Sequence, residues 1–294
     1  MAENPIFSLF LPLALGIVMI GLGLHLSLAD FRRVAQAPKA VLVALGVQTG
    51  LLPPVAFGLA WAFGLPPELG IGLVLLAASP GGVTANLFSH LARGDVALNI
   101  TLTAINSLLA LLSLPLWTAL ALALLLGSDQ AVPPPTRKVV EVGVLVILPV
   151  AIGMGLRAWR PALASRLDRP VRLASTLVLA GLIVAAVVIE RQTLATYAAV
   201  VGLAALLFNL ASLLAGYAAG RAIRLGVPQA TAIAFEIGIH NGTLAIFVAL
   251  HVLGMAGAAV VPAIYSLLMY LTGGLFAWWV LKRALPRAEG LRSA

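Results

Sequence analysis

The chain has 294 residues, 62% of them hydrophobic and only 10% charged, with a net charge of +8 and no cysteine. A soluble domain keeps about a quarter of its residues charged, so most of this surface faces something other than water. Disulfides, thiol chemistry and thiolate metal sites are excluded. The few charges cluster, leaving apolar runs near the roughly 20 residues that cross a bilayer.

Apolar runs bounded by charge, proline and glycine predict an all-α polytopic membrane protein of nine transmembrane helices. Met1-Ala2-Glu3-Asn4-Pro5 has neither the basic region nor the small-residue cleavage site of a signal peptide, so the first run, 6–26, is expected to stay as a span. The second span, 39–63, carries Gln48 within its apolar length. The third, 68–91, is interrupted by Ser79-Pro80-Gly81-Gly82-Val83-Thr84-Ala85-Asn86. Proline removes a backbone donor and clashes with the preceding turn, and paired glycine adds freedom, so the helix is expected to unwind here. The fourth span, 96–126, brings Asn99, Thr101, Thr103, Asn106 and Ser107. Asn99 and Thr103 lie one turn apart on one face and offer two oxygens to a common point.

The fifth span, 139–156, and the sixth, 171–189, place Glu141 and Glu190 near helix ends. The seventh is 194–219. The eighth, 229–253, contains Glu236-Ile237-Gly238-Ile239-His240-Asn241-Gly242-Thr243 at mid-span, and the ninth is 258–281. With the N-terminus outside, all of the 18 basic residues except Arg137, Lys138 and Arg191 fall on the cytoplasmic side. That asymmetry satisfies the positive-inside rule and puts the C-terminus in the cytoplasm. The protein is expected in the cell (inner) membrane. The same asymmetry explains the positive balance without nucleic acid.

Spans one to four and six to nine form two sets of four separated by a single helix, so the second set enters the membrane with opposite polarity. Inverted repeats of this kind are a common plan for secondary transporters, and interrupted spans at corresponding positions point to the binding site. Both interruptions fall in the third helix of their set. Gly238 and Gly242 also fit plain helix packing, and proline kinks are frequent in membrane helices; the matching positions and the included carboxylate set these breaks apart. Unwound backbone exposes carbonyls to a cation and helix N-termini to an anion. Of the ten acidic residues, Glu236 alone sits deep within a span. A charge at mid-bilayer costs roughly 2.5–3.5 kcal/mol on the insertion scale, so it is kept for a partner or a function. No Lys or Arg lies at similar depth, which leaves a bound cation or a proton; a neutral, hydrogen-bonded Glu236 is the structural alternative.

At these residues the chain resembles the bile acid:sodium symporter family, from Gly21-Leu22-Gly23-Leu24 and Asp30-Phe31, through Pro80-Gly81-Gly82, Asn86 and Leu91-Ala92-Arg93-Gly94-Asp95-Val96-Ala97-Leu98, to Glu236-Ile237-Gly238 and Asn241. It looks like the nine-span type that begins at the family's second helix. The resemblance implies a core domain (39–126 and 194–281), a panel domain (6–26, 139–156 and 171–189), and two discontinuous helices crossing at their broken centres. It implies a sodium-coupled symporter of an organic anion, bile-acid-like or a small monocarboxylate such as pantoate, with sodium as coupling ion and no cofactor.

Carried over by residue, the first sodium site would use Asn86, Asn99, Thr103 and Glu236. The family's hydroxyl before the asparagine is Ala85 here, and Asn99 stands where a small hydroxyl is usual. The second site would use Gln48, Glu236 and the carbonyls of Ile237 and Ile239, with His240 in place of the usual glutamine. The anion would lie near Val83, Thr84 and Asn241. Met269 and Tyr270 replace a familiar His-Asn pair, so the cargo does not transfer. Imidazole is a poor ligand for a hard cation, and His titrates in the physiological range. His240 is therefore expected to bring pH sensitivity and to leave one firm sodium site, with a neutral, hydrogen-bonded and merely structural imidazole as the alternative; for coupling, a proton or mixed proton/sodium mode is the alternative. A membrane enzyme is disfavoured, because there is one deep acid, no Asp-rich motif and no serine evidently paired with His240; a passive channel is the weaker rival.

Overall fold

A computed structural model describes residues 33–127, 136–189 and 191–284, with scattered positions between 13 and 29. Most of the first predicted span, the pair Asp30-Phe31, and Arg287 and Arg292 lie outside the described residues. Every described element is helical. Helix α1 (Pro38–Leu45) continues through a π-helical turn, Gly46–Leu51, into α2 (Leu52–Ala62). Helices α3 (Pro67–Ala78) and α4 (Val83–Leu91) share the third predicted span, and α5 (Val96–Leu126) follows. Next come α6 (Thr136–Trp159), α7 (Pro161–Ile189) and α8 (Arg191–Ala222). Helices α9 (Val227–Gly238) and α10 (Gly242–Phe247) share the eighth span, and α11 (Val260–Trp279) runs on into a π-helical stretch, Val280–Ala284, the last of the described residues.

Helices α6, α7 and α8 begin before the expected boundaries because their N-terminal parts carry charge: Arg137 and Lys138, Arg166 and Arg169, and Arg191 stand at helical positions that hydropathy alone assigns to loops. Three described stretches are long and apolar enough to cross a membrane, Pro38–Ala62, Ala195–Ala222 and Gly257–Lys282. The two halves of α5 make a fourth if they count as one span bent by 54°. The bend falls at Leu111, four residues before Pro115, whose ring clashes with that carbonyl.

The outside of the molecule is apolar in helical register. Leu108, Leu112, Leu116, Leu120 and Leu124 repeat every four residues along α5 and are all exposed, Leu112 by 76%. Stripes of this extent do not face water in a monomeric soluble protein, and they suit lipid. Inside, helices meet through small residues, as membrane helices do. Gly216 and Gly220 of α8 bring that helix within about one atom of Ala234 and Ala230 on α9. Gly23 faces Gly153 of α6 so closely that a Cβ on either would strike the other backbone. The polar side chains gather at the centre, where α3 and α4 meet α9 and α10.

Candidate functional site

The third predicted span stops at Ala78, runs extended through Ser79 and resumes at Val83. The eighth stops at Gly238 and resumes at Gly242. The two gaps lie against each other in antiparallel fashion, Gly81 opposite His240. The Gly82 N–H donates to the Ile239 carbonyl at 2.8 Å, and the Asn241 N–H donates to the Pro80 carbonyl at 2.8 Å. Each break therefore satisfies part of the other's backbone, which the membrane interior would otherwise leave unpaired.

The carbonyls freed at the end of each first half-helix are met by an amide side chain from the helix before it. Gln48 Nε2 donates to the carbonyls of Ala77 (3.0 Å) and Ser79 (2.9 Å). Asn209 Nδ2 of α8 donates to the Gly238 carbonyl at 2.8 Å, joined there by the Tyr265 hydroxyl at 2.8 Å. Thr272 in turn donates to Asn209 Oδ1.

Glu236, in the last turn of α9, is fully buried. Thr103 Oγ1 donates to its Oε2 at 2.5 Å and Asn106 Nδ2 to its Oε1 at 2.9 Å. The Gly81 backbone supplies a further hydrogen bond. A Cβ on Gly81 would lie 2.5 Å from both carboxylate oxygens, so glycine is what lets the first break approach the acid. Asn99, one turn before Thr103, donates through Nδ2 to the Ala232 carbonyl at 2.7 Å. Asn86 is half-buried on α4, which packs against both α5 and α9.

His240 lies on the other side of the crossover. Its Nδ1 is 3.1 Å from the Ser79 carbonyl, the group that also accepts from Gln48. A carbonyl only accepts, so Nδ1 carries the hydrogen and Nε2 keeps its lone pair. The ring stacks on Phe208, with centroids 5.7 Å apart. Ile237 is buried within α9, and the Ile239 carbonyl faces Gly82. Thr84 lies within hydrogen-bonding reach of Tyr270, and Asn241 caps α10 by accepting from the Leu244 N–H at 3.1 Å. Val83 opens α4, and its side chain lies outside the described ones.

Four buried amide oxygens in this region, Gln48 Oε1, Asn86 Oδ1, Asn99 Oδ1 and Asn106 Oδ1, have no hydrogen-bond partner, and neither does His240 Nε2. Buried polar atoms without partners are few in native proteins and call for an explanation. A buried carboxylate and the unpartnered oxygens of Asn86 and Asn99, on helices that pack against that of Glu236, are ligand types that a hard cation such as sodium prefers. Among the described residues no three His, Asp or Glu side chains come together to hold a metal, so a transition-metal centre lacks its ligands here. Sequence reading missed Asn209, Tyr265 and Thr272 and noted Asn106 only as a polar residue. The available signal for Asn209 was a lone amide at mid-span in the seventh apolar run.

Known proteins resemble the chain over half to nearly all of its length. The model of the Sodium Bile acid symporter family matches residues 12–197. The uncharacterized sodium-dependent transporter YocS of Bacillus subtilis is 27% identical over 288 residues, covering 98% of this chain and 88% of its own. The probable chloroplastic sodium/metabolite cotransporter BASS1 of Arabidopsis thaliana is 27% identical over 285 residues, 93% of this chain and 67% of its own. The hepatic sodium/bile acid cotransporter of Rattus norvegicus is 31% identical over 160 residues, 54% of this chain and 44% of its own.

Proposed function

The chain belongs to the sodium bile acid symporter family, and from that premise we propose that it couples the downhill entry of sodium to uptake of an organic anion by alternating access. It is a multi-pass membrane transporter and not an enzyme. The observation that carries the coupling is Glu236, fully buried, with Thr103 as a hydroxyl neighbour and the amide oxygens of Asn86 and Asn99 unpartnered on α4 and α5, which both pack against α9. Asn86, Asn99, Thr103 and Glu236 form the principal sodium site in this reading. Gln48, Ile237, Ile239 and His240 form a weaker second position, because an imidazole nitrogen stands where an oxygen would serve a hard cation better.

The anion lies at the crossover near Val83, Thr84 and Asn241. There α4 and the apolar helix Gly242–Val252 begin, and helix N-termini favour negative charge. The cargo is a bile-acid-like molecule or a small monocarboxylate such as pantoate. The nine spans form two inverted sets of four with the N-terminus outside in the cell (inner) membrane; the matched amide supports, Gln48 under the first break and Asn209 under the second, favour that plan. Spans two to four and seven to nine make the core, and spans one, five and six the panel.

The unpartnered Nε2 of His240 favours a second reading, mixed proton and sodium coupling. The experiment is a thermal-stability screen of purified protein against organic anions with and without sodium, followed by uptake of the stabilising anion into vesicles under a sodium gradient. A ligand that binds only the folded state stabilises it according to its affinity. Sodium-dependent stabilisation and gradient-driven uptake are expected. Uptake driven equally by a pH gradient in sodium-free medium would favour the second reading, and no dependence on either ion would sink both.

A further inference from the structure

Glu236 is held by neutral donors. Thr103, Asn106 and the Gly81 backbone supply them, and no Lys or Arg among the described residues bonds to the carboxylate. A buried carboxylate with neither cation nor donors is prohibitive, and a symporter must return empty between cycles. When the cation leaves, the acid either takes up a proton or, where protons are scarce, has its charge satisfied by the protein's own donors.

The donors differ in what else they do. The single Thr103 hydroxyl hydrogen is shared between Glu236 Oε2 at 2.5 Å and the Asn99 carbonyl at 3.0 Å, and its oxygen keeps lone pairs for a cation. The Asn106 amide is committed differently. Its Nδ2 points at Glu236 Oε1, 2.9 Å away, while its own Oδ1 is buried with no partner. Against the ionised acid the reverse orientation would set two oxygens against each other, so an ionised Glu236 fixes which end of the amide faces it. Asn106 thus gives the acid a donor at the cost of an orphaned oxygen.

We propose that Asn106 is the stand-in for the cation: its amide satisfies Glu236 in the empty carrier and competes with sodium for the carboxylate. This rests on the sodium-coupled reading above. It predicts a sign that distinguishes a competitor from a ligand. Removing a ligand weakens sodium binding, whereas removing a competitor tightens it.

The test follows the unfolding temperature of the purified full chain against sodium chloride, with choline chloride holding ionic strength, at mildly alkaline pH where protons do not compete. Asn106→Ala, and Asn106→Leu, which fills the volume without a donor, should lower the half-saturating sodium concentration by roughly tenfold, the scale of one hydrogen bond to a charged group. A raised or unchanged half-saturation in both variants overturns the proposal and, if raised, makes Asn106 a ligand. Should sodium stabilise neither wild type nor variants, the sodium-coupled reading itself fails and takes this one with it.

Discussion

Where α3 ends, the chain turns through Ser79-Pro80-Gly81-Gly82; where α9 ends, it turns through Ile239-His240-Asn241. Both gaps interrupt an apolar span, each donates one backbone hydrogen bond to the other, and each is supported by an amide from the preceding helix. Their side chains differ. The first break is nearly bare and supplies proximity. The second carries His240 and Asn241, with Glu236 in the helical turn just before it, and supplies charge and polarity. A cation site made this way needs both contributions, since the acid has room only because Gly81 lacks a Cβ. Changes at the two breaks should therefore fail in different ways.

The largest effect is expected from removing the charge. Glu236→Gln keeps the shape and an oxygen for Thr103 or Asn106, so the protein should still insert and fold. Sodium should no longer stabilise it, and sodium-driven uptake should vanish. Wild-type uptake in this variant under a sodium gradient would break the comparison at its root.

Removing the room should damage the same function by a different route. In Gly81→Ala the new methyl meets both carboxylate oxygens at 2.5 Å. Overpacking of this kind typically costs about 1–3 kcal/mol. The variant should unfold at lower temperature as well as bind sodium poorly, while Glu236→Gln loses binding without that loss of stability. Denaturation curves of both proteins in sodium-free buffer separate the two; equal stabilities would mean that the first break does not set the distance.

A smaller change should follow from losing single oxygens. Asn86→Ala and Thr103→Ala should each raise the sodium concentration for half-maximal uptake by roughly tenfold, about the worth of one such contact. If both altered only the anion's half-saturation at saturating sodium, these two residues belong to the anion.

Much of this was legible in the sequence. The all-helical membrane class follows from 62% hydrophobic residues and scarce charge. The first break follows from Pro80 and its glycines, because they remove a donor and add freedom locally. Glu236 stands out because a lone mid-span acid is costly. The supporting side chains were not legible, and the reason is physical. Asn209 and Tyr265 act 29 and 27 residues away from the carbonyl they serve, through tertiary contact alone. Asn106 looked like any polar residue on α5, since the end of its amide that faces the acid depends on the packing of α5 against α9. The charged N-terminal parts of α6, α7 and α8 escaped because hydropathy marks where a span is apolar, not where a helix begins.

The subtlest expected difference lies at His240. Its Nδ1 hydrogen and the Gln48 amide converge on the Ser79 carbonyl, so two donors occupy an oxygen on this side of the crossover. What remains toward an incoming ion is Gln48 Oε1 and the bare His240 Nε2, both buried without partners. A hard cation prefers oxygen, and one nitrogen with one amide oxygen is a poor set for it. The wild type should therefore respond to sodium along a nearly hyperbolic curve, dominated by the site at Asn86, Asn99, Thr103 and Glu236. His240→Gln offers a side-chain oxygen in place of Nε2 and an amide donor in place of Nδ1–H, so it can keep the Ser79 contact while improving the second position. The expected outcome is a curve that becomes more sigmoidal, with little change in maximal rate. Uptake measured against sodium for both proteins decides it. A sigmoidal wild type that His240→Gln leaves unchanged would mean that the second position already holds sodium with the imidazole in place, and that the two sides of the crossover are more alike than their side chains indicate.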